Sequence, residues 1–265
     1  MKKALISLSL LLGTVGSYAQ SALLPYDADE YQRIQRIEIV SGQFSKYFHT
    51  AAGAIPRKDL ARFADSFQIQ GNPIRFRDFQ FLKFIQEDNP EWSPIESGKR
   101  KPILWYFYPQ KSAMIYHDQG DFSVKVNPIL NLWTGRDVAR GENLYMNSRG
   151  AEVYGQIGRK LGFYTYLTEN QTRAPYYLRQ WTSYVGAYPS ASLTKSFKTD
   201  GYDFFQARGY ITFSPIKDYV SLQFGHDRNF IGDGYRSFIL SDFGKEYLFL
   251  KANTKVWMLN YQNLF

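Results

Sequence analysis

The densest group of residues able to do chemistry lies between positions 226 and 237. It combines one histidine and one serine with two aspartates and two arginines: His226, Asp227, Arg228, Asp233, Arg236 and Ser237. Histidine and serine serve as base and nucleophile in many hydrolases, so an outer-membrane lipid hydrolase is one hypothesis. The residues around Ser237 match no signature of an activated nucleophile, and we predict no catalytic residue and no enzyme.

The same segment partly matches a calcium-binding loop. Asp227 and Asn229 precede Gly232 as in a calcium loop, but the twelfth position is Phe238 rather than glutamate. The chain has no cysteine, which excludes disulfides and thiol chemistry. Only three histidines are present: His49, His117 and His226. We therefore predict neither a metal nor a cofactor.

Two interpretations of this glycine-rich hairpin stay open. In the first, Gly225, Gly232 and Gly234 supply structural turns, because glycine tolerates positive φ, and the charged side chains line a wet lumen. In the second, the segment binds a saccharide, because carboxylates and guanidinium groups form directional hydrogen bonds with hydroxyls. The glycan-binding candidates on this hairpin are Asp227, Arg228, Asp233 and Arg236.

A second candidate region combines aromatic rings with arginines. Its rings are Tyr154, Tyr164, Tyr166, Tyr176, Tyr177, Trp181 and Tyr184. Arginine pairs bidentately with carboxylates such as those of uronic acids, and rings stack on sugar faces. The alternative is an aromatic girdle at a membrane interface. Arg173, Arg179 and Trp181 are the glycan-binding candidates of this region.

Composition limits the class of protein that can position these residues. The 265 residues carry a net charge of +8, and 18% of them are aromatic. A mean hydropathy of −0.40 beside so many rings means that apolar residues alternate with polar ones. Such dispersion is typical of β-strands with two different faces. The positive charge suits an anionic glycan or lipopolysaccharide as partner.

The first nineteen residues are typical of a cleaved export signal. Lys2 and Lys3 precede an apolar run over 4–15, and Ser17 and Ala19 occupy the two positions that signal peptidase reads. No later stretch approaches eighteen consecutive apolar residues. We predict an exported protein with a signal peptide at 1–19 and no nucleic-acid partner.

The spacing of apolar residues over 20–102 predicts a helical bundle followed by a linker, both on the periplasmic side. Three amphipathic segments are indicated by Ile34, Ile37, Phe44 and Phe48, by Leu60, Phe63 and Phe67 after Pro56, and by Phe79, Leu82 and Ile85. Gly42 is expected to interrupt the first. The linker at 89–102 contains a basic run at 99–101, which is either a solvated loop or a contact for anionic lipid headgroups.

From residue 103 the apolar period changes to two. We predict a strand pair at 103–108 and 113–116, then strands at 122–126, 151–158, 161–168, 204–213 and 220–224, and one or two over 247–264. Turns are predicted at 147–150, 199–201 and 214–218. Aromatic-rich alternation in an exported chain favours an all-β, antiparallel outer-membrane β-barrel over 103–265, with a secreted β-sandwich as the alternative.

Two stretches resemble a known family when taken together. They run from Arg149-Gly150-Ala151 through Glu169-Asn170-Gln171, and from Phe224-Gly225-His226 through the Gly232-Asp233-Gly234 turn to Ser241-Asp242. They resemble the Wzi family of capsule-assembly outer-membrane proteins, in particular its Bacteroidota branch. The Leu24-Pro25 start, the Arg36-Ile37-Glu38 segment and residues 57–64 are also similar to that branch.

The resemblance implies a non-catalytic, lectin-like anchor that retains or organises surface or capsular polysaccharide. Some members of the branch are associated with gliding motility, so a motility or adhesion role is the alternative function. Family members are longer, and the resemblance implies that this chain supplies the bundle and about the first half of a larger barrel. A complete eight-stranded barrel is the alternative. The terminal Phe265 is the residue that barrel-assembly machinery favours.

Overall fold

The computed structural model describes residues 21–69, 75–93, 106–108, 110–158, 161–191, 193–216, 219–235, 237–257 and 259–265. Several features of the sequence analysis lie wholly or partly outside these residues. They are the signal peptide at 1–19, residues 94–102 of the linker with its basic run, residues 103–105 of a predicted strand, residues 217–218 of a predicted turn and the glycan-binding candidate Arg236.

The N-terminal unit is built from short helices. They are α1 (Glu30–Ser41), a 3₁₀ turn (Thr50–Ala52), α2 (Arg57–Ile69) and α3 (Phe76–Asp88). The helices share an apolar core that includes Ile34, Phe63 and Leu82. None of the helices within the described ranges is long and apolar enough to cross a membrane. Since helices of this length are marginal alone, their common core is what stabilises them.

The three predicted helices are confirmed, with differences in which side chains are buried. Helix α1 ends at Ser41 because Gly42 adopts a left-handed conformation with φ of 67°. Phe44 therefore lies beyond the helix and is 84% exposed, whereas Phe48 joins the core. In α3 the prediction was wrong for Phe79, which is largely exposed, and Phe81 is buried in its place.

Most of the described residues from 115 onward form one antiparallel sheet of nine strands. They are β1 (Ile115–Asp118), β2 (Phe122–Asp137), β3 (Glu142–Ile157), β4 (Leu161–Arg173), β5 (Lys195–Phe197), β6 (Gly201–Ile216), β7 (Val220–Asp227), β8 (Tyr247–Val256) and β9 (Leu259–Leu264). The spatial order is β1-β2-β3-β4-β6-β7-β8-β9, and β5 pairs with β6. A fourth helix, α4 (Tyr176–Val185), lies between β4 and β5.

Several strand predictions need correction. Residues 147–150 were predicted as a turn but lie inside β3, where Arg149 pairs with both Leu130 and Glu169. The first hairpin is formed by β1 and β2, while 106–108 are not a strand. The segment over 247–264 forms two strands. Pairing on both sides of β3 outweighs the turn-like composition of 147–150.

The two ends of the sheet differ in their connections. At one end, β3 joins β4, β6 joins β7 and β8 joins β9 through only two or three residues. At the other end lie the long connections 174–200 and 228–246, together with the short turn between β2 and β3. We call these the short-turn end and the long-loop end.

One face of the sheet, here called the polar face, is covered. Neighbouring strands place one row in register on it: Lys125, Tyr154, Tyr164, Tyr210, Gly225 and Phe249. The rows beside it contain Arg208 and Asp227 on one side and Gln156, Thr212 and Gln223 on the other. All of these polar side chains are buried.

The opposite face, here called the apolar face, is exposed. Its matching row is Val124, Gly155, Phe163, Ile211, Phe224 and Leu250. Ile211, Phe224 and Leu250 have 51%, 49% and 43% of their surface exposed. The alternation read from the sequence is therefore confirmed, and on β2, β3, β4, β6, β7 and β8 it is the polar face that contains the buried side chains.

The N-terminal unit covers the polar face. The Leu23 amide donates to the Tyr210 hydroxyl at 2.9 Å, and Arg208 forms an ion pair with Asp27 at 3.2 Å. Lys125 pairs with Glu91 at 3.0 Å and donates to the Asp88 carbonyl at 2.6 Å. The helical unit and the sheet thus form a single packed body.

Candidate functional site

The predicted hairpin at 225–242 is a long connection between β7 and β8 rather than a tight turn. Asp227 ends β7 on the polar face, and its carboxylate accepts from the Arg228 amide at 2.8 Å. The Arg228 guanidinium pairs with Glu246 at 2.9 Å and donates to the Ser190 carbonyl at 2.7 Å. Both Arg228 and Glu246 are buried. Asp227 and Arg228 therefore act as internal partners that hold this connection over the polar face.

The three glycines of this region have different roles. Gly225 lies inside β7, so its prediction as a turn residue was wrong. A side chain there would collide with the backbone of Gly209 and Tyr210 on β6. Gly232 and Gly234 do adopt positive φ, of 121° and 91°. The Gly232 amide donates to the Ala51 carbonyl at 2.8 Å, which ties the connection to the N-terminal unit.

His226 and Ser237 each bond to the backbone. His226 lies on the apolar face, and its Nδ1 lies 3.0 Å from the Ala207 carbonyl oxygen. The Ser237 hydroxyl donates to the Ile231 carbonyl and accepts from the Ile239 amide. Asp233 lies in the exposed part of the same connection. These contacts explain both side chains as parts of the local structure.

Arg173 and Arg179 meet at the long-loop end in what we call the arginine cluster, formed with Glu142 and Asp200. Arg173 lies 3.0 Å from Asp200 and 3.7 Å from Glu142. Arg179 lies 3.4 Å from Asp200 and also pairs with Glu142. Two guanidinium groups thus meet two carboxylates, which holds the start of α4 against the ends of β3, β4 and β6.

Helix α4 carries an exposed aromatic stripe: Tyr177, Trp181 and Tyr184. These residues recur at helical spacing and are 68%, 54% and 90% exposed. Next to the stripe, the Arg140 guanidinium lies 3.3 Å from the centre of the Tyr176 ring. The arginine cluster therefore positions a row of rings on the surface of the long-loop end, where they are able to stack on a flat ligand.

Sequence reasoning found the arginines and the rings of α4 but missed their partners, and three rings of the same predicted region lie on the polar face of the sheet instead: Tyr154, Tyr164 and Tyr166. Glu142 and Asp200 were not predicted to join the site, although Asp200 lies in a predicted turn. The two candidate groups are separate. Arg179 and Trp181 lie on α4 and Arg173 lies beside it at the end of β4, whereas Asp227 and Arg228 lie where β7 meets the β7–β8 connection. Within the described ranges, no group of three or more His, Asp or Glu residues is arranged to hold a metal ion.

Burial changes the ionisation of groups where the N-terminal unit meets the sheet. Burial raises the pKa of the Tyr31 hydroxyl, which donates to the Leu24 carbonyl at 3.1 Å. Burial by itself would lower the pKa of Arg57, but the neighbouring Tyr154 and Asp88 raise it overall. The Arg57 guanidinium lies 2.6 Å from Asp88 and 4.2 Å from the centre of the Tyr154 ring. Arg57 thus remains charged while buried.

Fold and site together define a β-rich protein whose antiparallel sheet has a polar face covered by a helical unit and an apolar face open to its surroundings. Comparison of the chain with protein-family models, with curated proteins and with solved structures gives no match.

Proposed function

We propose that this chain forms an outer-membrane β-barrel, or part of one, with the N-terminal unit inside the lumen. The observation that carries the proposal is the inversion of the sheet: polar side chains are buried and apolar ones are exposed. In water this arrangement would be unfavourable, because exposed apolar area lacks the gain of burial. In a bilayer it is the arrangement expected of strands that face lipid outward and a polar lumen inward.

The dimensions of the sheet support the same proposal. Strands β2, β3 and β6 have 16 residues each, more than the ~9–11 that a tilted strand needs to cross a bilayer. On the apolar face of β2 the apolar side chains run from Phe122 to Leu132, roughly 34 Å along the strand. That length on tilted strands is of the order of the ~25 Å apolar band of such barrels. Short turns at one end and long loops at the other are also typical of them.

Within that barrel, the proposed role is to retain or organise surface or capsular polysaccharide as a non-catalytic, lectin-like anchor. The exposed stripe of Tyr177, Trp181 and Tyr184 supports this role, because it lies at the long-loop end, which faces outward in outer-membrane barrels. Aromatic faces stack on sugar rings, and the neighbouring Arg140 offers a cation for an acidic sugar. The resemblance to the Wzi family favours the same role.

The role is tested by the partition of surface polysaccharide between cells and medium, with the gene intact and deleted. We expect the glycan to move to the medium on deletion while total synthesis stays constant. Trp181→Ala should reproduce part of that release, whereas Phe44→Ala, an exposed ring on the N-terminal unit, should not. Unchanged attachment with lost spreading on a surface would contradict the anchor and favour the motility alternative.

A further inference from the structure

A cavity of about 360 Å³ lies between the N-terminal unit and the polar face, near the short-turn end. One wall is formed by 46–49 and by the first turns of α2, and the other by β6, β7, β8 and β9. Its volume falls in the range of ~300–1,000 Å³ that small-molecule sites occupy. The aromatic stripe on α4 lies at the opposite end of the sheet, so the cavity is a separate feature.

The charge of the cavity is positive. Lys46, Lys58 and Arg62 line it from the N-terminal unit, and Lys255 lines it from β8. Among the described residues of its lining, Asp59 is the one carboxylate, and it lies 3.3 Å from the Arg62 guanidinium. Because four cations converge on one acid, the cavity favours a ligand that carries negative charge.

The cavity also contains buried polar groups that lack a protein partner. Gln223 is 4% exposed and Thr212 is 2% exposed, and both line the cavity. Within the part of the chain that the structure describes, neither the amide nitrogen and oxygen of Gln223 nor the Thr212 hydroxyl has a hydrogen-bond partner. Buried polar groups without a partner destabilise a protein, so these atoms point to a ligand that hydrogen-bonds to them.

We infer that this cavity binds a short acidic oligosaccharide. Sugar hydroxyls both donate and accept, which matches the amide of Gln223 and the hydroxyl of Thr212. Carboxylates of the ligand would pair with Lys46 and Lys255, and Tyr219 at the rim offers a ring to stack on. Inorganic phosphate would pair with the cations, but it would not engage both the Gln223 amide and an aromatic ring. The inference rests on the proposed function and names the class of glycan recognised at the lumenal end.

The inference is tested by calorimetric titration of the full-length protein in detergent micelles with three probes: trigalacturonate, maltotriose and inorganic phosphate. We expect binding of trigalacturonate that weakens with added salt, at least tenfold weaker binding of maltotriose, and weak phosphate binding. Equal affinity for trigalacturonate and phosphate would overturn the inference, because it would reduce the cavity to a simple anion site.

Two variants locate the binding. Gln223→Leu removes the unpaired amide while keeping a side chain of similar size, so we expect unchanged or higher thermal stability and about tenfold weaker trigalacturonate binding. Lys46→Gln should weaken trigalacturonate and leave maltotriose unaffected. Lys245→Gln, an exposed lysine in the β7–β8 connection, is the matched control and should change neither. Trigalacturonate affinity that is unaltered by Gln223→Leu and Lys46→Gln would overturn the inference.

Failure of this inference is distinguishable from failure of the proposed function. If trigalacturonate does not bind but gene deletion still releases polysaccharide, the cavity is not the site and the anchoring role stands. If trigalacturonate binds as described and deletion releases nothing, the cavity site stands and the anchoring role fails.

Discussion

The two faces of the sheet invert the usual arrangement of a protein in water. On the polar face, Lys125, Arg208 and Lys251 are nearly fully buried, while on the apolar face Ile211, Phe224 and Leu250 are about half exposed. The buried charges are accommodated because the N-terminal unit brings partners to them, such as Glu91 for Lys125 and Asp27 for Arg208. The comparison shows that one alternation pattern buries the polar side chains of the sheet and leaves the apolar ones exposed.

The N-terminal unit should be most sensitive at the ion pair that it buries against the polar face, where Arg57 contacts Tyr154. Arg57→Leu leaves Asp88 without its partner, and we expect about 3–5 kcal/mol lower free energy of unfolding. Urea titration in micelles measures it. Arg36→Leu removes a partner of Asp78, but Arg36 is half exposed and the loss should stay within about 1 kcal/mol. Equal losses at both positions would show that burial of an ion pair against the polar face has no greater effect on stability than exposure does.

The apolar face should respond to charge as a lipid-facing surface does. Ile211→Arg places a cation among Phe163 and Phe224, and we expect about 2–4 kcal/mol lower stability in lipid vesicles. The matched control is Val138→Arg in the β2–β3 turn, where Val138 is 87% exposed and the change should stay within about 0.5 kcal/mol. A negligible effect at Ile211 would mean that this face contacts water.

Gly225 tests how closely the strands approach on the polar face. Gly225→Ala forces β7 away from the backbone of Gly209 and Tyr210, and we expect a loss of about 2 kcal/mol in unfolding free energy. Gly244→Ala is the control, since nothing lies within 4 Å of the added carbon. A tolerated Gly225→Ala would indicate a looser sheet than the strand register describes.

The smallest loss of stability is expected for a substitution at the edge of the apolar face, toward the long-loop end. On β3 and β4 the apolar row ends there with Ala151 and Leu167, and the next residues on that face are Arg149 and Glu169, which form an exposed ion pair at 3.1 Å. Glu169→Gln should cost about 0.5 kcal/mol or less, as exposed pairs do, and the cost should vanish at high salt. A loss of several kcal/mol would place this row inside the lipid and extend the apolar band.

The alternation of 161–168 and 204–213 was readable from the sequence because a period of two needs no knowledge of neighbours. Asn147 to Gly150 was misread because its composition is turn-like, and only the pairing of β3 with β2 and β4 decides otherwise. At Gly150 an added side chain would collide with the Leu167 carbonyl, so this glycine permits close approach of strands rather than a turn.

The candidate site was predictable in its residue types and not in its partners. Arg173, Arg179 and Trp181 were found by composition, but α4 was missed because tyrosine, tryptophan and threonine are indifferent helix formers. The pairing of Arg173 with Asp200 joins residues far apart in sequence, and it depends on the paths of β4 and β6. Asp227 and Arg228 were chosen as ligand contacts, yet their carboxylate and guanidinium groups are used internally.

The central claim is that the apolar face contacts lipid and the polar face does not. Because the chain has no cysteine, single cysteines introduced on both faces can carry a fluorophore that lipid-borne nitroxides quench. We predict strong quenching at Ile211 and Phe224 and weak quenching at Gln206 and Ser221, which lie on the polar face of β6 and β7. Equal quenching on the two faces, or labelling of Ile211→Cys by a water-soluble maleimide at the rate of an exposed loop position, would contradict the account.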